Sequence, residues 1–253
     1  MLLTIDVGNT NTVLGMFDGE ELDASWRIKT DSRTTADEIA LTFRGLLEDH
    51  PPVTGIALCS TVPAVLREMR VMLAKYFPNI ETVIVEPGTK TGVPVLTDNP
   101  KEVGTDRIVN TVAAFALYGG PSIVVDFGTS TNLDVVSAKG EFIGGALAPG
   151  IEISLDALAQ RAAALRKVEL VRPRAAIGKN TVEALQSGAL YGFAGQVDGM
   201  VERISEELDE VTAVIATGGL ASIVIGESRT ITHHEPDLTL IGLRLVFERN
   251  TTR

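Results

Sequence analysis

Two stretches, alike in residue type and 120 residues apart, hold the side chains best suited to chemistry: Ile5-Asp6-Val7-Gly8-Asn9-Thr10-Asn11-Thr12 and Val125-Asp126-Phe127-Gly128-Thr129-Ser130-Thr131-Asn132. In each, a short apolar run (residues 2–5 and 123–125) delivers an aspartate to a point where Gly and small hydroxyl or amide residues turn the chain back. That combination suits phosphate. A turn offers backbone N–H groups without side-chain bulk, hydroxyls add donors, and a carboxylate holds a hard divalent cation that itself grips phosphate oxygens. The far ends agree as well, Asp18-Gly19-Glu20 matching Lys139-Gly140-Glu141 with a one-residue slip. A single such stretch is more often an ordinary β-turn, because Gly and Asn tolerate positive φ. Its repetition after comparable strands points instead to two related half-domains facing one nucleotide.

The 253 residues suffice for a stable core without disulfide or structural metal, since a chain of this size buries roughly 70–75% of its unfolded surface. Cys59 is the only cysteine and lies in an apolar stretch, as an inert core thiol would. One Cys and three His provide no zinc spacing, and the adjacent His233 and His234 would point to opposite faces of a strand, as surface residues. The chain begins directly with strand material, shows no signal-peptide h-region, and has no apolar run of membrane-spanning length. A soluble, cytoplasmic protein without a membrane partner is expected. The formal charge of −11 argues against nucleic acid. It does not exclude a nucleotide, because exposed charges are screened over about 8 Å at physiological ionic strength. A polyanion held by an acidic protein does, however, imply Mg²⁺ at the site.

The elements that must position these residues alternate between strand and helix. Thr34 or Thr35 caps a helix, Glu38 completes a capping box, and Ile39, Leu41, Leu46 and Leu47 are available to face inward. Residues 56–59 form a buried strand, with Ser60 or Thr61 as the next cap and Pro63 near the first helical position. Leu66, Met69, Leu73 and Phe77 mark that helix, and residues 82–85 a further strand. The rhythm predicts an α/β sheet with helices packed on it.

Residues 87–104, dense in Pro, Gly, Asp and Asn, show no element, and loops of that length are usually functional or disordered. They end in Lys101-Glu102-Val103-Gly104-Thr105-Asp106-Arg107, after which Ile108, Val112 and Phe115 mark a helix. Asp106 admits two readings. It is a first-turn acid favoured by the helix dipole, or a carboxylate held where a substrate hydroxyl arrives, beside Arg107 as a fork for a substrate carboxylate. Spacing alone leaves both open.

Farther on, Gly144-Gly145-Ala146-Leu147-Ala148-Pro149-Gly150 precedes a helix through Leu155, Leu158 and Leu165. The glycines make either a close-approach surface offering N–H groups or simply a tight connection. A strand ends in Thr217-Gly218-Gly219, where a base or ribose could lie against backbone. Asn180 caps a long helix with Glu183 three residues on, and Val182, Leu185, Val197, Val201, Ile204 and Leu208 form much of its apolar face. Gly188, Gly192, Gly195 and Gly199 share one stripe of it. Each costs about 0.8–1.0 kcal/mol relative to Ala, so another backbone is expected close by, from the sheet or from a second copy of the chain.

Taken in order, Asp6-Val7-Gly8-Asn9-Thr10, Gly104-Thr105-Asp106-Arg107, Asp126-Phe127-Gly128-Thr129, the 144–150 segment and Thr217-Gly218-Gly219 resemble the type III pantothenate kinase family over essentially the whole chain. The resemblance implies an α/β protein of two duplicated ribonuclease-H-like halves, the actin-like ATPase fold, with ATP in the cleft between them. It places the N-terminal half at residues 1–118. The C-terminal half, with the probable dimerisation helix and the Gly-Gly turn on the adenosine side, takes residues 119–253. The implied activity is transfer of the ATP γ-phosphate to the primary hydroxyl of pantothenate, the first step of coenzyme A biosynthesis, with pantothenate and ATP as partners and a homodimer as the assembly.

By the same resemblance Asp6, Val7, Gly8, Asn9, Thr10, Asn11, Thr12 and Val13 cradle the ATP phosphates, with Asp6 near Mg²⁺, and Thr129 touches ATP. Gly104, Thr105, Asp106 and Arg107 form the pantothenate site, Asp106 as proton acceptor and Arg107 on the substrate carboxylate. Asp126 holds a monovalent cation, K⁺ or NH₄⁺. Thr181 matches a pantothenate-contacting position, or is merely the first turn of its capped helix. The chain departs from the family at Thr105, often Ala, and at Asn132, commonly Thr; neither removes a required group. Two rivals share the fold: another small-molecule kinase or a polyphosphatase, and a noncatalytic regulator, against which the presence of Asp6, Asp106 and Asp126 argues.

Overall fold

A computed structural model describes residues 1–162 and 168–251. The chain divides into two units. The first comprises Met1–Val93, Asn99–Ala113 and the segment from Thr239 onward; the second, Pro94–Asp98 and Ala114–Leu238. A single cut after residue 118 therefore does not describe the contacts. The C-terminal segment joins the first unit because Leu240 and Phe247 fill space beside Gly15 and Gly55, where a β-carbon would collide with them. Residues 94–98 join the second because Pro94 and Leu96 hydrogen-bond to the backbone of Phe142.

In the first unit, β1 (Leu2–Val7), β2 (Asn11–Asp18) and β3 (Glu21–Lys29) run into α1 (Ala36–Leu47), followed by β4 (Gly55–Ser60), α2 (Pro63–Tyr76), β5 (Glu81–Ile84) and the start of α3 (Thr105–Tyr118). The sheet order is β3-β2-β1-β4-β5, with β1–β2–β3 antiparallel and β1–β4–β5 parallel. In the second unit the order of elements is β6 (Ser122–Phe127), β7 (Ser130–Val136), β8 (Phe142–Pro149), α4 (Ile151–Arg161), α5 (Thr181–Glu206), β9 (Ala213–Thr217), α6 (Ala221–Val224) and β10 (His233–His234), with α7 (Leu238–Thr251) last in the chain. Its sheet order is β8-β7-β6-β9-β10 with the same pattern of senses, so the sequence repeat is a topological repeat.

Strand alternation sets the faces. Leu3, Ile5 and Val7 of β1 pack with Ile56 and Leu58 of β4 against Ile39, Phe43, Val65, Met69 and Met72 of α1 and α2, leaving Thr4 and Asp6 on the other face. Thr35 caps α1 with both bonds of the capping box to Glu38. Phe43 takes the inward position, continuing Ala36, Ile39 and Ala40, while Leu41 is 65% exposed, contrary to expectation. Neither Ser60 nor Thr61 caps α2. Val62 is its N-cap, without a side-chain bond, because the Ser60 hydroxyl instead accepts from the Val62 N–H at 3.1 Å.

The glycine-rich residues 144–149 are not a connection but most of β8, paired to β7. Gly144 has φ +129° beside the register shift at residues 135–136, and a β-carbon on Gly145 would strike the Leu133 carbonyl. Leu155 is partly buried in α4, Leu158 is exposed, and Leu165 lies outside the described residues. In α5 the buried face is Ala189, Leu190, Ala194, Val197 and Val201, whereas Val182 is exposed and Leu208 follows the helix. The glycine stripe does not meet the sheet: among the described residues, the helix's own nearby backbone aside, nothing lies within 4 Å of where β-carbons on Gly188, Gly192 and Gly195 would stand. Among the described residues no helix is long and apolar enough to cross a membrane.

On the buried side of α5, Asp198 anchors the segment before β10, accepting from the Ser228 hydroxyl at 2.6 Å, the Arg229 and Thr230 N–H groups at 3.0 and 3.2 Å, and the Thr230 hydroxyl at 2.9 Å. Burial works to raise its pKa, but the bonds from Ser228, Arg229 and Thr230 together outweigh burial and lower it. Asp198→Asn should cost about 2–3 kcal/mol, the scale of charged hydrogen bonds and buried donors left unmet. A depressed folded pKa means the charge stabilises at neutral pH and ceases to do so as pH falls through that pKa. The difference in Tm between the two proteins, followed by circular dichroism, should be constant above about pH 5 and shrink below about pH 4.

Candidate functional site

The site in the first unit grows from the C-terminal ends of β1 and β4. Their parallel register sets Asp6 beside Cys59 on the face opposite the apolar cluster, and the Cys59 thiol donates to Asp6 Oδ1 at 3.3 Å. Burial pushes the thiol pKa well up, helped by the charges of Asp6 and Asp106, so sulfur stays protonated and a donor. Cys59 is thus inert as a nucleophile, as expected, but it touches the site, which its position in an apolar run did not signal.

Asp106 stands in the first turn of α3, where its Oδ1 accepts from the Arg107 N–H at 2.9 Å. The carboxylate folds back over Gly104, whose β-carbon would stand 2.5 Å from the same oxygen, so only glycine fits there without moving it. The Thr105 hydroxyl donates to the Ser60 carbonyl at 3.4 Å, tying this turn to the end of β4, next to Cys59. Asp106 is thus a first-turn acid of α3, and its charge is also felt at Asp6. Burial raises the pKa of Asp106, opposed by the N–H and charge of Arg107. Asp6 is raised further, to about 7, chiefly by burial and then by the negative charge of Asp106, with the Cys59 bond opposing.

The first hairpin turn is less open than the sequence implies. The Gly8 N–H already donates to the Asn11 carbonyl at 3.0 Å, Val7 is fully buried in the core, and the buried Thr12 hydroxyl pairs with Thr30 at 2.9 Å. Asn9 and Thr10 are exposed at the turn, and Asn11 and Val13 are partly buried on the Asp6 face. The side chains of Val7 and Thr12 are turned into the core, so any role at a phosphate falls to their backbone.

The second unit repeats the plan with different chemistry. Gly128 donates to the Ser130 carbonyl at 3.0 Å, as Gly8 does in the first hairpin, and Thr129 is exposed. Asp126 stands over Gly218, whose φ is +91° and whose β-carbon would collide with Asp126 Oδ1 and the Phe127 backbone. Asn132 is the register partner of Asp126, and its buried Oδ1 has no hydrogen-bond partner among the described residues. Gly150 closes on this turn too: its N–H donates to the Thr129 carbonyl at 3.1 Å, and a β-carbon would strike the Gly128 and Thr129 carbonyls. The close approach expected of these glycines is thus to the protein's own turn. Thr181 is exposed on another element, as the first residue of α5, which Asn180 caps by accepting from the Glu183 N–H at 2.9 Å. His233 and His234 are exposed on β10.

Among the described residues no three His, Cys, Asp or Glu groups gather to hold a metal by themselves. A hard cation at Asp6 must therefore complete its shell from phosphate oxygens and water, the ordinary condition of nucleotide-bound Mg²⁺.

Known proteins similar to this chain span nearly its whole length. A protein from Parafrankia sp. (strain EAN1pec) named "Type III pantothenate kinase" is 68% identical over 251 residues, covering 99% of each chain. Among solved structures, a Baf family protein of Campylobacter jejuni matches with a TM-score of 0.63 at 17% identity, over 99% of this chain and 100% of that one. The activator of the 2-hydroxyisocaproyl-CoA dehydratase from Clostridium difficile, with bound ADPNP, matches with a TM-score of 0.58 at 12% identity, over 98% and 93%. At such identities these two likenesses bear on the fold alone, the actin-like ATPase fold with its duplicated halves. The family model for type III pantothenate kinase matches residues 2–203, and with the near-full-length relative it establishes that the chain belongs to the type III pantothenate kinase family.

Proposed function

We propose that this protein transfers the γ-phosphate of ATP to the primary hydroxyl of pantothenate, giving 4'-phosphopantothenate for coenzyme A synthesis in the cytoplasm. The observation that carries the reading is the placement of Asp106 within the electrostatic reach of Asp6, on a turn tied down by Gly104, Thr105 and Arg107. Asp106 accepts the proton of the attacking hydroxyl, and Arg107 binds the substrate carboxylate as a two-pronged donor. Asp6 and the turn at residues 8–10 orient the phosphates. Phosphoryl transfer passes through a loose transition state, so orientation and charge neutralisation outweigh base strength.

The donor set at Asp6 fits Mg²⁺: a hard oxygen whose ionisation is disfavoured by burial and a second carboxylate, in a site short of positive charge. Bound there, Mg²⁺ would neutralise phosphate oxygens and the charge that develops on the transferred group. In the second unit, Asp126 and the orphaned Asn132 oxygen suit a monovalent cation, K⁺ or NH₄⁺, with Thr129 of the adjoining turn on ATP. Thr181 contributes to the pantothenate pocket. We also read the bare glycine stripe of α5 as the seat of a homodimer contact, since a second α5 can approach closely where no β-carbon intervenes.

Three outcomes follow. ADP release with ATP, Mg²⁺ and K⁺ should depend on pantothenate and not be supported by glycerol, acetate or hexoses; it should fall on omission of K⁺, and Asp126→Asn should make the enzyme indifferent to that omission. Asp106→Asn should lose about 10²-fold or more in kcat with MgATP still bound, and near-normal turnover would remove the role assigned to it. Because the base must be deprotonated and its pKa is raised, kcat/KM should fall on acidification at a pH above the ordinary carboxylate range of about 4.

A further inference from the structure

Sheet register carries two cations onto the Asp6 face. Cross-strand partners project to the same side of a sheet. The pairs Arg27↔Val13, Val13↔Asp6 and Asp6↔Cys59 therefore form one row across β3, β2, β1 and β4, and Lys29↔Asn11 lies one pleat farther toward the turn at residues 8–10. Leu240 of α7 covers the neighbouring row at Gly15 and Thr4, whereas Arg27 and Lys29 are exposed.

Charge is graded along β3. Glu21 and Asp23 are at the end joined to β2 by the Gly19 turn, and Arg27 and Lys29 are at the end beside the phosphate turn. Among the described residues Arg27 has neither a salt bridge nor a side-chain hydrogen bond, and Lys29 has only the field of Asp31. In a protein of net charge −11, two cations that form no salt bridge among the described residues stand at the end of the sheet beside the 8–10 turn. Two strand spacings separate Arg27 from Asp6, about 10 Å between backbones. An arginine side chain and a polyphosphate bridge that gap together.

We infer that Arg27 and Lys29 bind the phosphate tail of the nucleotide from the β3 side, while Asp6 and the 8–10 turn hold it from β1. The inference rests on the phosphate reading of the first hairpin. It adds the positive charge that this hairpin lacks, by charge-assisted hydrogen bonds of the kind arginine makes with phosphate.

The test is equilibrium titration of MgATP, MgADP and adenosine into the wild-type protein, Arg27→Gln, Lys29→Gln, the double variant and Asp6→Asn. Each single Gln variant should weaken MgATP about three- to tenfold, with the double variant weaker still. Adenosine affinity, the KM for pantothenate and Tm should not move, because both side chains are exposed and make no salt bridge or side-chain hydrogen bond among the described residues. The dependence of MgATP affinity on salt should flatten in the double variant. If the double variant binds MgATP within twofold of wild type while Asp6→Asn binds it poorly, the inference is wrong and the phosphate reading stands. If Asp6→Asn also binds MgATP normally, the reading itself fails and the inference falls with it.

Discussion

The structure of the site depends on the burial of one carboxylate, Asp6, within reach of the charge of a second, Asp106. Both carboxylates are drawn out of water, and burial first, then the negative charge of Asp106, raises the Asp6 pKa to about 7. A protein keeps such an arrangement only if something else supplies positive charge. The supports around the pair are all small. Gly104 leaves room for the Asp106 carboxylate, Thr105 pins the first turn of α3 to β4, and the Cys59 thiol donates a hydrogen bond to Asp6. None is a catalytic group, yet each keeps the two acids together.

Duplication explains how one scaffold surrounds two equivalent aspartates with different neighbours. Both sheets have a strand that delivers an aspartate, a turn in which Gly donates inward, and a second strand that pairs back. In the first copy the aspartate meets a thiol and a second acid. In the second it meets the amide of Asn132 and a glycine with positive φ. The backbone plan is shared, and divergence at the neighbouring side chains sets the chemistry.

The glycines sort by the same physical logic. Gly15, Gly55, Gly145, Gly150 and Gly218 lie where a β-carbon would meet a side chain, a carbonyl or Asp126, so each is demanded by packing within the chain. Those of α5 at 188, 192 and 195 meet nothing beyond their own helix among the described residues. They cost helix stability without any return inside the monomer, whereas the opposite face of α5 is secured by apolar burial and by Asp198.

Strand and helix order, the Thr35 capping box and the pairing of two Asp-turn motifs were legible in the chain because each depends on residues near in sequence: alternation, caps and turn chemistry. The same locality misled at 144–149, where glycines imitate a loop although hydrogen bonds to β7 make a strand, and at Leu41, where Phe43 takes the inward place. What the tertiary structure decided is everything set by pairing between distant segments. Parallel register brings Cys59, 53 positions away, to Asp6. The packing of α3 adds Asp106, and antiparallel register lines Arg27 and Lys29 along the same face. A sequence names the groups able to do chemistry; only long-range hydrogen bonding and packing fix which of them share a field, because electrostatic coupling depends on separation in space and not along the chain.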